Sequence, residues 1–273
     1  MAECGLSNLA TCLPQLFLEF VLTLLNSALQ PLVDLAKALL TEPVNVMLFY
    51  GLWVIIIYLI SLFYGLFFLF AGFNFMISGY NSAKREQAKA WLTNVLLMIL
   101  FVQSSFFLYE LTIELGSLLT ASIINLIDPT FFLLQADSFL DLGLNLLLTA
   151  FYVLVLLVSV ILLGVRYLLV SMGVVFVPIG LFLYFIPPLK SYGTMILSVL
   201  AVLIFIPFFD ALILLGSSLL MNVSLFDHFS MLVTTLSFVM INLFMICVVL
   251  FALLKAAFSV IDSDVGRTLR RTL

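Results

Sequence analysis

The sequence predicts an all-α polytopic membrane protein with about five transmembrane helices. Of its 273 residues, 65% are hydrophobic and 9% are charged, whereas a soluble domain carries roughly 25% charged residues. The apolar runs are continuous and long enough for membrane-spanning helices, unlike the short alternating strands of a membrane β-barrel. The ten basic residues lie mainly between these runs, so their positions orient the helices across the bilayer.

Residues 1–42 are predicted to form an N-terminal amphipathic helical segment at the membrane interface. Pro31 is expected to kink or divide this helix. Because no Lys or Arg precedes the first apolar run, the segment is not predicted to be a cleavable signal peptide. The apolar face holds Leu13, Leu16, Phe17, Phe20, Val21, Leu24 and Ala28, and the polar face holds Gln15, Glu19, Asn26 and Gln30.

Residues 43–260 form the predicted transmembrane domain, and its first helix runs from about residue 46 to 78. Small residues recur along it every seven positions, interrupted only by Tyr58. Such a seam allows another helix to approach closely, although a glycine stripe lining a channel is the alternative. The predicted packing glycines are Gly51, Gly65, Gly72 and Gly79.

A second span follows at residues 92–109, and the apolar pattern continues beyond it to Ile127. Glu110 and Glu114 share one face of this helix and are expected to reach interfacial water. Both helices exceed the roughly 20 residues that a bilayer requires. We therefore expect a helical hairpin that projects beyond the membrane, with its apolar flank covered by the N-terminal helix and residues 128–141.

Three further spans are predicted at residues 142–165, 191–221 and 231–260, followed by a basic cytoplasmic tail at 261–273. Residues 167–189 are ambiguous, because Pro178 and Gly180 interrupt a run that is long enough to cross. If this segment is re-entrant and broken at Pro178, five spans place nine of the ten basic residues in the cytoplasm. If it crosses, six basic residues lie outside. The positive-inside rule therefore favours five spans with the N-terminus outside and the C-terminus inside.

Asp210 is the main intramembrane polar candidate, since a carboxylate at the bilayer centre costs about 2.5–3.5 kcal/mol on insertion scales. It is either an ion or proton site, or a structural hydrogen-bond acceptor, with Gln103 or Asn145 as candidate donors. Arg166 is predicted to be a topological anchor that reaches the lipid phosphates.

The sequence contains none of the motifs of the common enzyme classes. It has no P-loop and no His-Glu-x-x-His pattern, and its only histidine, His228, lies in a predicted outer loop. Cys4, Cys12 and Cys247 form no metal-type spacing, although Cys4 and Cys12 either pair in an oxidising compartment or remain free. We therefore predict a non-enzymatic protein with no catalytic residue, metal or cofactor.

The stretch "AGFNFMISGYNSAKREQAKAWLTNVLLMIL" resembles the first cytoplasmic turn of TrbL-type (VirB/TrbL family) inner-membrane subunits of type IV secretion and conjugation systems. The turn residues that carry the resemblance are Asn81, Lys84, Arg85 and Lys89. The later stretch "GVRYLLVSMGVVFVPIGLFLYFIPPLKSYG" is similar to a bend in the same family. The chain is short for the family, which leaves room for a distant archaeal branch.

The resemblance implies a scaffold or conduit subunit of a conjugation or DNA-exchange apparatus in the cytoplasmic membrane. Its implied partners are other membrane subunits of the machine, a separate ATPase, pilin-like subunits, further copies of the chain, and transiently single-stranded DNA or a secreted protein. The alternative is a small-molecule or ion permease that uses Asp210 and the broken segment at Pro178. A third alternative is an assembly factor that transports nothing.

Overall fold

A computed structural model describes residues 9–77, 82–133, 142–223, 226 and 229–272, and all regular structure in these ranges is helical. The helices are α1 (Leu9–Thr41), α2 (Tyr50–Ile77), α3 (Ser82–Gln103), α4 (Ser105–Ile124), α5 (Leu142–Phe185), α6 (Lys190–Met221) and α7 (Ser230–Thr272). Short 3₁₀ turns lie at Val46–Phe49, Pro129–Phe132 and Pro187–Leu189.

Five helical stretches of the described chain are long and apolar enough to cross a membrane. They are Val46–Ile77, Ser105–Ile124, Gly143–Phe185, Pro187–Met221 and Ser230–Lys255. Their large apolar side chains are widely exposed, with 77% exposure at Leu48 and 74% at Ile77, as expected of a surface that faces lipid. The predicted all-α polytopic fold with about five transmembrane helices is confirmed.

Pro31 was predicted to kink or divide the N-terminal helix, and it does not divide it, because α1 is continuous from Leu9 to Thr41. Its predicted apolar face is not the buried one, because Phe17, Phe20 and Leu24 are all more than half exposed. Instead, the C-terminal half packs inward at helical spacing. The buried side chains are Leu29, Val33, Ala36 and Leu40.

The second predicted span straddles the junction of α3 and α4. Ser104 separates the two helices, although its amide donates to the Leu100 carbonyl and its carbonyl accepts from the Leu108 amide. The stretch of this region that is long and apolar enough to cross a membrane is Ser105–Ile124, so the predicted span at 92–109 overlaps it only at its end. The indole of Trp53 on α2 donates to the Ser105 hydroxyl at 2.9 Å, which ties α2 to the start of α4.

Helix α5 also passes through a proline, and the predicted break at Pro178 and Gly180 is wrong. The helix continues for 44 residues to Phe185, so residues 142–165 and 167–185 belong to a single span. A buried proline is tolerated in a membrane helix when its neighbours shield the backbone. The helix ends at Ile186 instead, which is extended and precedes two prolines, because the residue before a proline disfavours the α conformation.

The predicted glycine seam on α2 is not a packing surface within the described chain. A methyl group added at Gly51, Gly65 or Gly72 would meet nothing within 4 Å, and Gly79 lies outside the described residues. The glycines that allow close approach are on α5 and α6. At Gly193 an added Cβ would lie 2.6 Å from the Gly180 carbonyl oxygen and against the Tyr184 backbone, so this glycine lets α6 start directly against the end of α5.

The contacts divide the chain into two compact units that cut across the helices. The first unit contains Met1–Glu42, Gly116–Arg166 and Ile206–Cys247, and the second contains Pro43–Leu115, Tyr167–Phe205 and Val248–Leu273. The predicted boundary near residue 42 coincides with a limit of the first unit, but α1 belongs to the same unit as parts of α4 to α7. The backbone of the predicted tail continues α7 as far as Thr272.

Candidate functional site: a buried aspartate and arginine in the first unit

Asp210 lies near the middle of α6 and is 0% exposed. It follows Pro207 by three residues, so the sequence "IPFFDALILL" places a carboxylate in an apolar helix. Among the described residues, no donor forms a hydrogen bond with either of its carboxylate oxygens. A buried carboxylate without such donors depends on a nearby positive charge or on protonation for its stability.

Arg166 on α5 supplies that positive charge. Its side chain is 8% exposed, and its charge acts on the Asp210 carboxylate through space. The two residues are 44 positions apart and lie on successive helices, α5 and α6, of the same unit. The two groups therefore interact electrostatically without a direct hydrogen bond.

The same guanidinium also reaches the C-terminal end of α1. Arg166 Nη1 donates to the Leu39 carbonyl at 3.4 Å, a long hydrogen bond. Leu39 needs this donor, because the residue four positions later is Pro43, which has no amide hydrogen. A cation is also favoured at the negative end of a helix dipole. Arg166 thus joins its own helix, α5, to the end of α1.

These contacts correct two sequence predictions. Arg166 is not an anchor at the lipid phosphates, because it is buried against α1. Gln103 and Asn145 do not hydrogen-bond the Asp210 carboxylate, and the Gln103 side chain is exposed. The sequence signal that could have linked Arg166 with Asp210 is that each is a single charge within an apolar run. Helical spacing could not show it, because such spacing relates only residues on the same helix.

Further buried polar side chains lie elsewhere in the first unit. Asn242 on α7 donates to the Val155 carbonyl on α5 at 3.2 Å. Most buried hydroxyls instead bond within their own helix, as when Thr149 donates to the Asn145 carbonyl and Thr235 to the Met231 carbonyl. Among the described residues, the bond from Asn242 to Val155 therefore specifies the pairing of α7 with α5.

The turn Pro129–Phe132 closes this unit. Thr234 on α7 donates to the Phe131 carbonyl at 3.3 Å, and Tyr152 on α5 donates to the Phe132 carbonyl at 3.2 Å. The ammonium of Lys37 on α1 lies 4.1 Å from the centre of the Phe132 ring, within the range of a cation–π interaction. The described part of residues 128–141 thus packs on α1, α5 and α7.

Glu110 and Glu114 lie in the second unit and share one face of α4, as predicted. Both line an open groove of about 280 Å³ together with the connection between α1 and α2 at residues 43–47. Glu110 is half-buried and Glu114 is exposed.

The cations of the turn between α2 and α3 are exposed at Lys84, Arg85 and Lys89. Asn81, Cys4 and His228 lie outside the described residues. Cys247 is a free, exposed thiol. Within the described ranges, no group of three or more His, Cys, Asp or Glu side chains is placed to hold a metal ion.

The chain matches no family model, and comparisons with curated proteins and with solved structures find no significant similarity.

Proposed function

We propose that the chain is a non-enzymatic scaffold or conduit subunit of a type IV secretion-like translocation apparatus in the cytoplasmic membrane. The observation that carries the proposal is the length of its helices. Helix α5 has 44 residues, which corresponds to about 66 Å, while the hydrocarbon core of a bilayer is about 30 Å thick. Such helices extend well outside the bilayer, where they offer surfaces to other subunits.

The resemblance at residues 71–100 supports the same proposal, since it concerns the turn where α2 gives way to α3. Under the proposed topology the N-terminus is outside and the C-terminus is inside. Exposed Lys84, Lys190 and Lys255 then lie near helix ends or tails on the cytoplasmic side. Energy for transport would come from a separate ATPase.

The permease alternative depended on a broken segment at Pro178 and on Asp210. Helix α5 runs unbroken through Pro178, so the discontinuous helix typical of many transporter sites is missing there. Asp210 is fully buried in the first unit, which suits a structural role at least as well as an ion site.

Site-specific photocrosslinking in the native host tests the proposal. A photoreactive residue would replace exposed Leu126 or Phe258, which are 71% and 66% exposed, and a matched control would replace buried Met98, which is 2% exposed. We expect crosslinks from the exposed positions to other machine subunits or to the transported DNA or protein, and substrate crosslinks should require an active ATPase. Deletion of the gene should abolish transfer.

A different result would overturn the proposal. If deletion of the gene leaves transfer of DNA or protein unaffected but abolishes uptake or efflux of a small molecule, the permease hypothesis is correct. Cysteine labelling of Lys255→Cys from the outside of intact cells would reject the proposed orientation.

A further inference from the structure

A groove of about 420 Å³ lies between the end of α2 and the start of α3 in the second unit. Its volume is within the range of small-ligand pockets. One wall is a stripe of α2 with the spacing i, i+4, i+7, formed by Phe70, Asn74 and Ile77. The other wall is a stripe of α3 with helical spacing, formed by Lys84, Gln87, Ala88 and Trp91.

The polar part of the groove suits a phosphate group. Lys84 supplies a cation, and the amides of Asn74 and Gln87 supply further N–H donors. Lys84 and Gln87 are exposed, so a ligand can reach them. The six residues Lys84–Lys89 carry three cations and one carboxylate, which gives the turn a net positive charge. An anion is therefore the ligand that this end of the groove favours.

The remaining walls of the groove are apolar. The Phe70 ring is 51% exposed and Ile77 is 74% exposed, and this surface continues along α2 to Phe73 and Met76, which are 54% and 71% exposed. Trp91 packs edge-on against Phe70 with ring centres 5.3 Å apart. An apolar wall of this kind offers no hydrogen-bond donor to an inorganic anion, but it can pack against hydrocarbon chains.

We propose that this groove binds an anionic phospholipid, with its phosphate at Lys84 and its acyl chains along the exposed face of α2. The groove joins a cation and amide donors to a lipid-facing apolar wall at the end of two helices. Basic pockets between membrane helices are known to take anionic headgroups in this manner. The proposal depends on the membrane fold and not on the proposed role in translocation.

Trp91 makes the proposal testable by fluorescence, because the chain has only two tryptophans. The Trp53→Phe protein, with Trp91 as its single reporter, would be reconstituted in phosphatidylcholine vesicles. Increasing fractions of phosphatidylglycerol or phosphatidylcholine with brominated acyl chains would then be added as quenchers. We expect brominated phosphatidylglycerol to reach half-maximal quenching at a fraction about five-fold lower than brominated phosphatidylcholine requires. One basic residue near an anionic surface contributes a binding preference of about this size.

Matched variants separate this site from general surface charge. Lys84→Gln should abolish the preference, whereas Glu86→Gln and Lys255→Gln should retain it, because these residues do not line the groove. Trp91→Phe, which leaves Trp53 as the reporter, should show no preference. Equal quenching by the two brominated lipids, or loss of the preference in Lys255→Gln as well, would overturn the proposal.

Two further measurements decide between sources of the ligand. If inorganic phosphate shifts Trp91 emission in pure phosphatidylcholine and removes the preference, the site binds soluble phosphate instead and the proposal is wrong. If Trp53→Phe does not fold, native mass spectrometry of the unaltered chain and Lys84→Gln replaces the fluorescence test. An anionic lipid retained by the former and lost from the latter supports the proposal, and equal retention contradicts it.

Discussion

The two units hold their helices together by different means. Of the fourteen buried polar or charged residues in the described chain, all but Ser105 and Ser171 belong to the first unit. The second unit instead brings helices close at glycines and joins them through aromatic pairs. Its aromatic contacts include Trp53 with Phe106, Phe67 with Phe182, and Phe101 with Phe185.

The difference follows from the solvent. Lipid is as apolar as a leucine side chain, so burial of apolar area does not drive helices together in a membrane. Close packing at small residues and hydrogen bonds or charge pairs between helices are the remaining forces. Both units contain hydrogen bonds between helices, such as Asn242 with Val155 in the first and Trp53 with Ser105 in the second, and the second unit adds close packing at Gly193.

Removal of Arg166 should have the largest effect, because this buried side chain bonds the end of α1 and carries a charge that acts on Asp210. Arg166→Met leaves the Leu39 carbonyl without its donor and should destabilise the protein by about 1–3 kcal/mol. Thermal unfolding in detergent and the amount of protein in membranes would measure this loss.

The double variant Arg166→Met/Asp210→Leu tests the pairing itself. It should recover part of the stability, since a matched apolar pair costs far less than one orphaned charge. Asp210→Leu should likewise impair assembly more than the exposed control Glu86→Gln. Additive losses in the double variant would show that the two residues do not interact.

The next largest effect should come from Gly193→Ala, which tests the glycine packing of the second unit. The added methyl group would collide with the backbone of α5 at Gly180 and Tyr184, and overpacking of this kind costs about 1–3 kcal/mol. Gly65→Ala is the matched control in open space, where loss of a helical glycine should stabilise by about 0.5–1 kcal/mol. The same unfolding measurement on both variants checks the sign, and destabilisation by Gly65→Ala would show that the α2 seam is packed after all.

A tyrosine in each unit permits a smaller test of the comparison. The hydroxyl of Tyr109 donates to the Val170 carbonyl at 2.6 Å across the cleft that Gly173 leaves open. The hydroxyl of Tyr152 in the first unit donates to the Phe132 carbonyl at 3.2 Å. Each change to Phe should cost about 0.5–1.5 kcal/mol, the net value of a buried hydrogen bond. We expect Tyr109→Phe to cost more because its bond is shorter, and the opposite order of unfolding temperatures would reject this.

The smallest effect should come from Asp128, which lies outside the membrane-spanning segments. The amide and hydroxyl of Thr130 donate to Asp128 Oδ1 at 2.9 and 2.7 Å, and they lower the pKa of this carboxyl. A lowered pKa in the folded state contributes stability above the unfolded pKa, near pH 4, and this stability is lost as the pH falls through the folded pKa. Asp128→Ala should therefore reduce stability slightly at neutral pH and flatten its decline in acid. An unchanged unfolding profile between pH 3 and pH 5 would contradict the role of this turn.

The sequence indicated the helices but not their contacts. The five spans followed from run length and composition, and the exposed cations at Lys84 and Lys190 followed from charge patterning. The prediction at Pro178 was wrong, because a proline in a membrane helix does not have to end it. The α2 glycines meet no neighbour within the described chain, and their packing against another subunit stays a prediction. Gly193 was not among the predicted packing glycines, although the backbone of Gly180 and Tyr184 leaves no room there for a side chain.

The amino-acid sequence by itself determined that this chain is helical and embedded in lipid. Its continuous apolar runs are long enough to span a bilayer as helices, and 9% charged residues are too few for a water-facing surface. Only the tertiary structure decided that Arg166 caps the end of α1 and is buried in the same unit as Asp210. The reason is physical: helical periodicity is written into neighbouring positions, whereas the partner of a buried charge depends on how separate helices align. The same limit applies to the groove at Lys84, whose two walls come from different helices.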